Sequence, residues 1–192
     1  MDKIKQCIEE SIFVKETILN NEQLHSSLQK VIELTVKSLE SGGRLWFCGN
    51  GGSAADAQHL AAEFSGRFYM DRRALPAEAL HCNSSYLTAV ANDYSYDDVY
   101  ARLVEGVCSS QDILFGFSTS GNSKNICRAF TKAKEKNMLT IGFAGKSGGK
   151  LKECSDILFD VPSTNTPRIQ EAHIMLGHII CQMVEEIFFK EG

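Results

Sequence analysis

Two loops and two helical stretches hold the residues whose types and spacing could do chemistry. The first loop, Cys48-Gly49-Asn50-Gly51-Gly52-Ser53-Ala54-Ala55-Asp56, places three glycines around an amide and a serine just before a helix. Glycines let the backbone approach a ligand closely, and the first N–H groups of a helix are open to an anion or a hydroxyl. By itself such a loop is also a plain strand-to-helix turn. The second loop, Ser118-Thr119-Ser120-Gly121-Asn122-Ser123, carries four hydroxyls in six residues, ahead of a helix beginning near Lys124. A simple N-cap uses one hydroxyl. Four of them, with backbone N–H groups and a helix dipole, make a neutral phosphate cradle that needs no lysine.

His59 and Glu63 stand four residues apart on the helix opened by the glycine loop, and so share one face. An imidazole and a carboxylate so placed suit proton transfer, and they equally suit a solvated surface pair. Spacing leaves both readings open. Near the end of the chain Gln170, Glu171, His173 and His178 interrupt an otherwise apolar helix. Polar groups among apolar neighbours are costly unless partnered, so some of them have a task. For His173 the expectation is a core histidine satisfied by a backbone carbonyl.

These residues need elements to position them. From Ile4 to Leu39 apolar residues recur every three or four positions (Ile4, Ile8, Ile12, Val14, Ile18, then Leu24, Leu28, Ile32, Leu34, Val36, Leu39). That predicts two helices, broken near Asn20-Asn21 and stopped by Ser41-Gly42-Gly43. Short apolar runs follow at Leu45–Cys48, Ala79–Cys82, Ile113–Phe117, Leu139–Phe143 and Ile157–Val161, separated by loops and helical stretches. They predict an α/β fold with a doubly wound, five-stranded parallel sheet of flavodoxin-like type. Ligands of such sheets bind outside the carboxyl ends of the strands, where both loops fall. The last helix, from Pro167 to about Lys190, is apolar over most of its circumference and must be buried on several sides. Together with the N-terminal helix pair it exposes more apolar surface than one subunit covers, so a symmetric oligomer is expected. One domain over 1–192 is expected, with 1–41 serving assembly and 42–192 binding the ligand.

A chain of 192 residues with 43% hydrophobic side chains can bury one continuous core without disulfides. Its net charge is −4, and no basic cluster is stronger than Arg72-Arg73 or Lys132-Ala133-Lys134. Neither nucleic acid nor an anionic membrane is therefore the expected partner. The seven cysteines (Cys7, Cys48, Cys82, Cys108, Cys127, Cys154, Cys181) are odd in number and never form a C-x-x-C pair. That speaks against a disulfide framework or a thiolate zinc site, and for a reducing compartment. The opening MDKIKQCIEES has no apolar h-region and no run of 18 apolar residues follows, so a cytoplasmic location is expected.

Two motifs mislead. Gly49-Asn50-Gly51-Gly52-Ser53-Ala54 fits the loose dinucleotide pattern behind a nicotinamide-dependent oxidoreductase, but some 20 residues on stands only Asp71 beside Arg72 and Arg73. Gly145-Lys146-Ser147 imitates the end of a Walker A loop, yet the earlier glycine position holds Thr140 inside a strand.

The segments CGNGGSAADAQHLAAEFSGRF, FSTSGNS and RIQEAHIMLGH resemble the bacterial phosphoheptose isomerases of the sugar isomerase (SIS) superfamily, and the resemblance runs over nearly the whole chain. It implies a single SIS domain that converts D-sedoheptulose 7-phosphate to D-glycero-D-manno-heptose 7-phosphate, the first step toward activated heptose for lipopolysaccharide or capsule. It further implies Glu63 as the base for the carbon-bound proton and His178 as acid/base partner. Ser118, Thr119, Ser120 and Ser123 would hold the phosphate, with Asn50, Gly51, Gly52, Ser53, Asn92, Asp93 and Gln170 along the sugar. One zinc ion per subunit is implied, on His59, Glu63, Gln170 and His178, together with a homotetramer. Eight residues of ideal helix put Gln170 and His178 roughly 12 Å apart, so both reach one ion only by leaning inward or if the helix starts irregularly. Some relatives are non-catalytic regulators that bind a replication initiator. A scaffold needs neither Glu63 nor His178, and this chain has both.

Overall fold

The computed structural model describes residues 2–190. Five parallel strands, β1 (Leu45–Gly49), β2 (Ala77–Ala79), β3 (Ile113–Ser118), β4 (Leu139–Gly145) and β5 (Ile157–Val161), form one sheet in the order β2-β1-β3-β4-β5. This is the flavodoxin-like doubly wound order, with its switch point between β1 and β3. The helices are α1 (Lys3–Leu19), α2 (Glu22–Glu40), α3 (Gly52–Ser65), α4 (Ser84–Asp93), α5 (Val99–Val107), α6 (Lys124–Glu135), α7 (Leu151–Cys154) and α8 (Thr166–Lys190).

Side chains alternate across a strand, so the in-register pairing of β1, β3, β4 and β5 builds aromatic rows on one face. Gly49, Phe117, Phe143 and Phe159 fall side by side, and Phe47 pairs with Phe115. The Phe47–Phe115 rings stack at 4.8 Å and the Phe117–Phe143 rings at 4.5 Å. On this face α2, α3 and α8 bury their apolar stripes. The other face, with Trp46, Cys48 and Leu114, is covered by α5 and α6 through Val99, Tyr100, Val104, Ile126, Ala129 and Phe130. Two cores sandwich the sheet.

The expected break at Asn20-Asn21 is a capped one: Asn21 Oδ1 accepts the Leu24 N–H at 3.0 Å. The expected stop is also present, with Gly42 at φ +81°. Two readings need adjustment. The second strand lies at Ala77–Ala79 rather than Ala79–Cys82, because β1 opens at Leu45 and pairs it with Ala77. Leu80 still donates its N–H to Phe47 O, but its side chain has turned into the second core. The apolar surface left outward is also narrower than the helix pair: Leu24, Leu28, Val31, Ile32, Val36 and Leu39 of α2 are buried, whereas Ile4, Ile8, Ile12, Phe13 and Leu19 of α1 are exposed. Among the described residues α8 is the one helix long and apolar enough on average to cross a membrane, although, as read from the sequence, it holds no unbroken run of 18 apolar residues. In this fold its Ile169, Leu176, Ile180 and Val184 belong to the first core.

Candidate active site

The serine loop leaves β3 at Ser118, which is buried, and delivers α6. Ser123 occupies the N-cap of α6 but makes no capping bond; its hydroxyl instead meets that of Ser118 at 2.9 Å. Asn122 closes the turn by donating its backbone N–H to Ser120 Oγ at 3.1 Å and its amide to Ser120 O at 2.9 Å. Gly121 has φ +67°, and a Cβ there would lie 2.0 Å from Gly148 O, so only glycine fits. The segment that imitates a Walker loop is the brace behind it. Gly145 N–H donates to Thr119 O at 3.0 Å, Leu151 N–H to Gly121 O at 2.9 Å and Lys150 N–H to Asn122 Oδ1 at 3.2 Å. The result is a fixed loop with Ser120 exposed at a helix N-terminus, the arrangement a phosphate needs.

The expected site residue Asn50 and its glycine loop are held by three residues that the sequence did not single out, Asn125, Tyr96 and Tyr100. Asn50 and the buried Asn125 of α6 exchange amide hydrogen bonds at 3.0 and 2.8 Å. The Tyr96 hydroxyl adds a bond to Asn50 Oδ1 at 3.2 Å, and the Tyr100 hydroxyl donates to Gly49 O at 2.5 Å. The readable signal was a polar Asn125 on the inner face of an otherwise amphipathic helix. Gly51, at φ +56°, is the N-cap of α3 and has no side chain to cap it; Ser53 is buried two residues on. Asn92 and Asp93 are exposed at the end of α4 and bonded to each other at 2.9 Å. Their segment reaches the glycine loop through Tyr96.

Helices α3 and α8 run in the same direction, since their contacts advance together. A Cβ on Gly52 would sit 2.5 Å from Gln170 Nε2, and one on Gly177 would sit 2.4 Å from Leu60 Cδ1. At that second level His59 Nε2 lies 3.0 Å from His178 Nε2 and 3.2 Å from Glu63 Oε1. One ligand atom from each of the three falls within 4.8 Å of the others. Burial lowers the His178 pKa and the neighbouring His59 lowers it further, against a smaller pull upward from Glu63, so the ring is held neutral. The Phe68 ring packs on it at a centroid distance of 5.6 Å. Gln170, by contrast, lies at the Gly52 end of the helix pair.

The remaining polar residues of α8 have structural partners. His173 is buried between Phe117 and Phe143, and its Nε2–H donates to Ala144 O at 3.2 Å, as expected of a core histidine. Glu171 pairs with Arg168 and accepts the Ser11 hydroxyl at 2.7 Å, which fastens α1 to α8. Arg72, half of the basic Arg72-Arg73 pair, has a buried side chain paired with Glu185 at 2.8 Å.

The donor set suits zinc. Nitrogen and oxygen ligands about 2.0–2.1 Å from a tetrahedral ion lie roughly 3.3 Å apart, close to the two separations above.

The SIS domain family model matches residues 13–145. The phosphoheptose isomerase of Clostridium acetobutylicum is 50% identical over 188 residues, covering 98% of this chain and 96% of that protein. That of Sulfurimonas denitrificans is 47% identical over 189 residues, covering 98% and 97%. Among solved structures, the phosphoheptose isomerase of Francisella tularensis aligns with a TM-score of 0.92 at 36% identity, covering 96% of this chain and 97% of that one. The enzyme of Neisseria gonorrhoeae gives 0.90 at 38% identity, covering 96% and 98%. With the family model spanning most of the chain and near full-length identity to these enzymes, the chain belongs to the SIS-domain family and, within it, to the phosphoheptose isomerases.

Proposed function

We propose that the chain interconverts D-sedoheptulose 7-phosphate and D-glycero-D-manno-heptose 7-phosphate through an enediol. The observation that carries this reading is the meeting of His59, Glu63 and His178 between two parallel helices, in a chain of this family. Aldose–ketose isomerisation needs a base for a carbon-bound proton and a second group for protons on the oxygens. Glu63 takes the proton from the hydroxymethyl carbon beside the ketone and returns it to the former carbonyl carbon. His178, held neutral, both gives and accepts protons at the two oxygens. The hydroxyls of Ser118, Thr119, Ser120 and Ser123, with the α6 N-terminus, hold the phosphate. Asn50, Gly51, Gly52, Ser53, Asn92, Asp93 and Gln170 line the sugar.

The three converging side chains, joined by Gln170 on the strength of the resemblance, are the residues that would hold zinc. Bound there, the ion would supply Lewis-acid polarisation of substrate oxygens. We further assign residues 1–41 to the assembly of a homotetramer and 42–192 to the sugar-phosphate core, in a cytoplasmic enzyme whose product feeds lipopolysaccharide or capsule synthesis. The direct test is to incubate the purified chain with sedoheptulose 7-phosphate and follow the sugar by NMR. Growth of an aldoheptose phosphate is expected; an unchanged ketose would refute the proposal.

A further inference from the structure

We infer that Arg72 and Glu185 are positioning residues that set the spacing between Glu63 on α3 and His178 on α8; this rests on the site proposed above. The pair is almost fully enclosed, with side chains 4% and 2% exposed. Buried charges are expensive unless every donor and acceptor is used, and here they are used on the site's own frame. Arg72 Nη2 donates to the backbone carbonyl of Glu63 itself at 2.8 Å. Its Nη1 donates to Phe64 O at 2.8 Å and to Gly66 O and Arg73 O at 3.1 Å, so one guanidinium satisfies the carbonyl end of α3.

Its Nε bonds Glu185 Oε2 at 2.8 Å. Glu185 lies seven residues beyond His178 on α8, two turns along the same face. Its carboxylate also accepts the N–H groups of Phe68 at 3.0 Å and of Tyr69 and Met70 at 2.7 Å. Burial by itself would raise its pKa, but these three N–H groups and Arg72 outweigh that and keep it ionised. The same bonds fix the backbone of Phe68, whose ring packs on His178. One carboxylate thus holds α3 through Arg72, and the histidine's aromatic wall through Phe68. Neither residue touches the reacting atoms; each acts through Glu63 or His178.

A pair that served stability alone would lower the melting temperature and leave the chemistry of the folded enzyme unchanged. Two variants separate the cases. Glu185→Gln keeps the volume and part of the acceptor set, and Arg72→Met with Glu185→Leu removes both charges together, which spares the fold the cost of a single unpaired one. Each is assayed with sedoheptulose 7-phosphate well below its own melting temperature, and its histidine ring protons are recorded by NMR without substrate. We expect kcat lower by at least about tenfold, the low end for loss of an outer partner of a site residue, with KM within about twofold because the serine loop is untouched. The His178 ring signal should shift while that of His25 stays in place. Parental kcat together with a parental His178 signal in either folded variant would overturn the inference. If the parent chain itself fails to isomerise the sugar, the proposed function falls, and the His178 signal still decides whether the pair positions the site.

Discussion

His173 and His178 lie five residues apart on one helix, on opposite sides of it, and have opposite tasks. His178 faces Glu63 and His59, whereas His173 faces the sheet, its Nδ1 buried without a partner. Burial pushes the His173 pKa down from 6.5 to about 4, against a small upward pull from the bond to Ala144. Its neutral form is thus the one the fold accepts. The stabilisation is fully present above the unfolded pKa of 6.5 and is lost as pH falls toward 4, at up to about 1.4 kcal/mol per pH unit. Between pH 7 and pH 5 the parent should lose about 2 kcal/mol through this residue, and His173→Gln, which keeps a donor for Ala144, should lose that much less. Denaturant midpoints at the two pH values check it; equal losses in both proteins would contradict it. The sequence made His173 readable because a lone polar residue among apolar neighbours has one usual solution. It left His59 and Glu63 undecided, because their third partner is 115 residues or more away and only the packing of α8 on α3 brings it in. The pairing of Arg72 was illegible for a related reason: whether an arginine is solvated or buried depends on an acceptor that local sequence does not show.

At the scale of elements, the site depends on how closely α3 and α8 approach. Gly177 and Leu60 mark one close point, beside His178 and His59 in sequence. A methyl group at 177 would lie 2.4 to 3.1 Å from three Leu60 carbons, and Leu60 is itself buried, so it cannot simply swing away. Gly177→Ala should therefore destabilise by about 1–3 kcal/mol, the usual range for overpacking, and lower kcat by moving the two halves of the site apart. Adding Leu60→Ala should restore much of both, since the pair shares one space. Thermal denaturation and turnover of the two single variants and the double variant check this, and strict additivity would contradict it. Helix and strand order was legible throughout, because hydrophobic period and turn residues are local. The short edge strand was misplaced by two residues, because Ala79–Cys82 reads as apolar while the register with Leu45 on β1 decides which residues pair. Asn125 was readable as a polar residue on the inner face of α6, but its link to Asn50 was not legible, since only the sheet brings the glycine loop and α6 together.

For the whole molecule, α1 is the helix that, among the described residues, leaves the most large apolar side chains exposed. Ile4, Ile8 and Ile12 recur at every fourth residue and are each 49 to 70% exposed, with Phe13 and Leu19 adding to the patch. A stripe of that kind on a helix fastened to α8 through Ser11 and Glu171 is where copies of the chain should meet. Light scattering should give a tetramer, and Ile8→Glu with Ile12→Glu should give a smaller species that keeps its helical content. A monomer from the parent chain at micromolar concentration would contradict the assignment. The sequence showed that apolar surface was in excess, and the packing of α2 showed which helix carries it.

The central claim is that Glu63 moves a carbon-bound proton. In deuterated water, sedoheptulose 7-phosphate incubated with the parent chain should exchange that proton as it isomerises. Glu63→Gln, nearly isosteric at a part-buried site wall, should fold, assemble and bind the sugar phosphate by calorimetry as the parent does. Its exchange should fall by at least about 10²-fold, the low end for loss of a positioned general base, with zinc content measured in both samples so that loss of an ion is not mistaken for loss of the base. Retained binding with lost exchange at equal metal content is the predicted result. Near-parental exchange in Glu63→Gln would contradict the account and make His178 the first residue to test as the base.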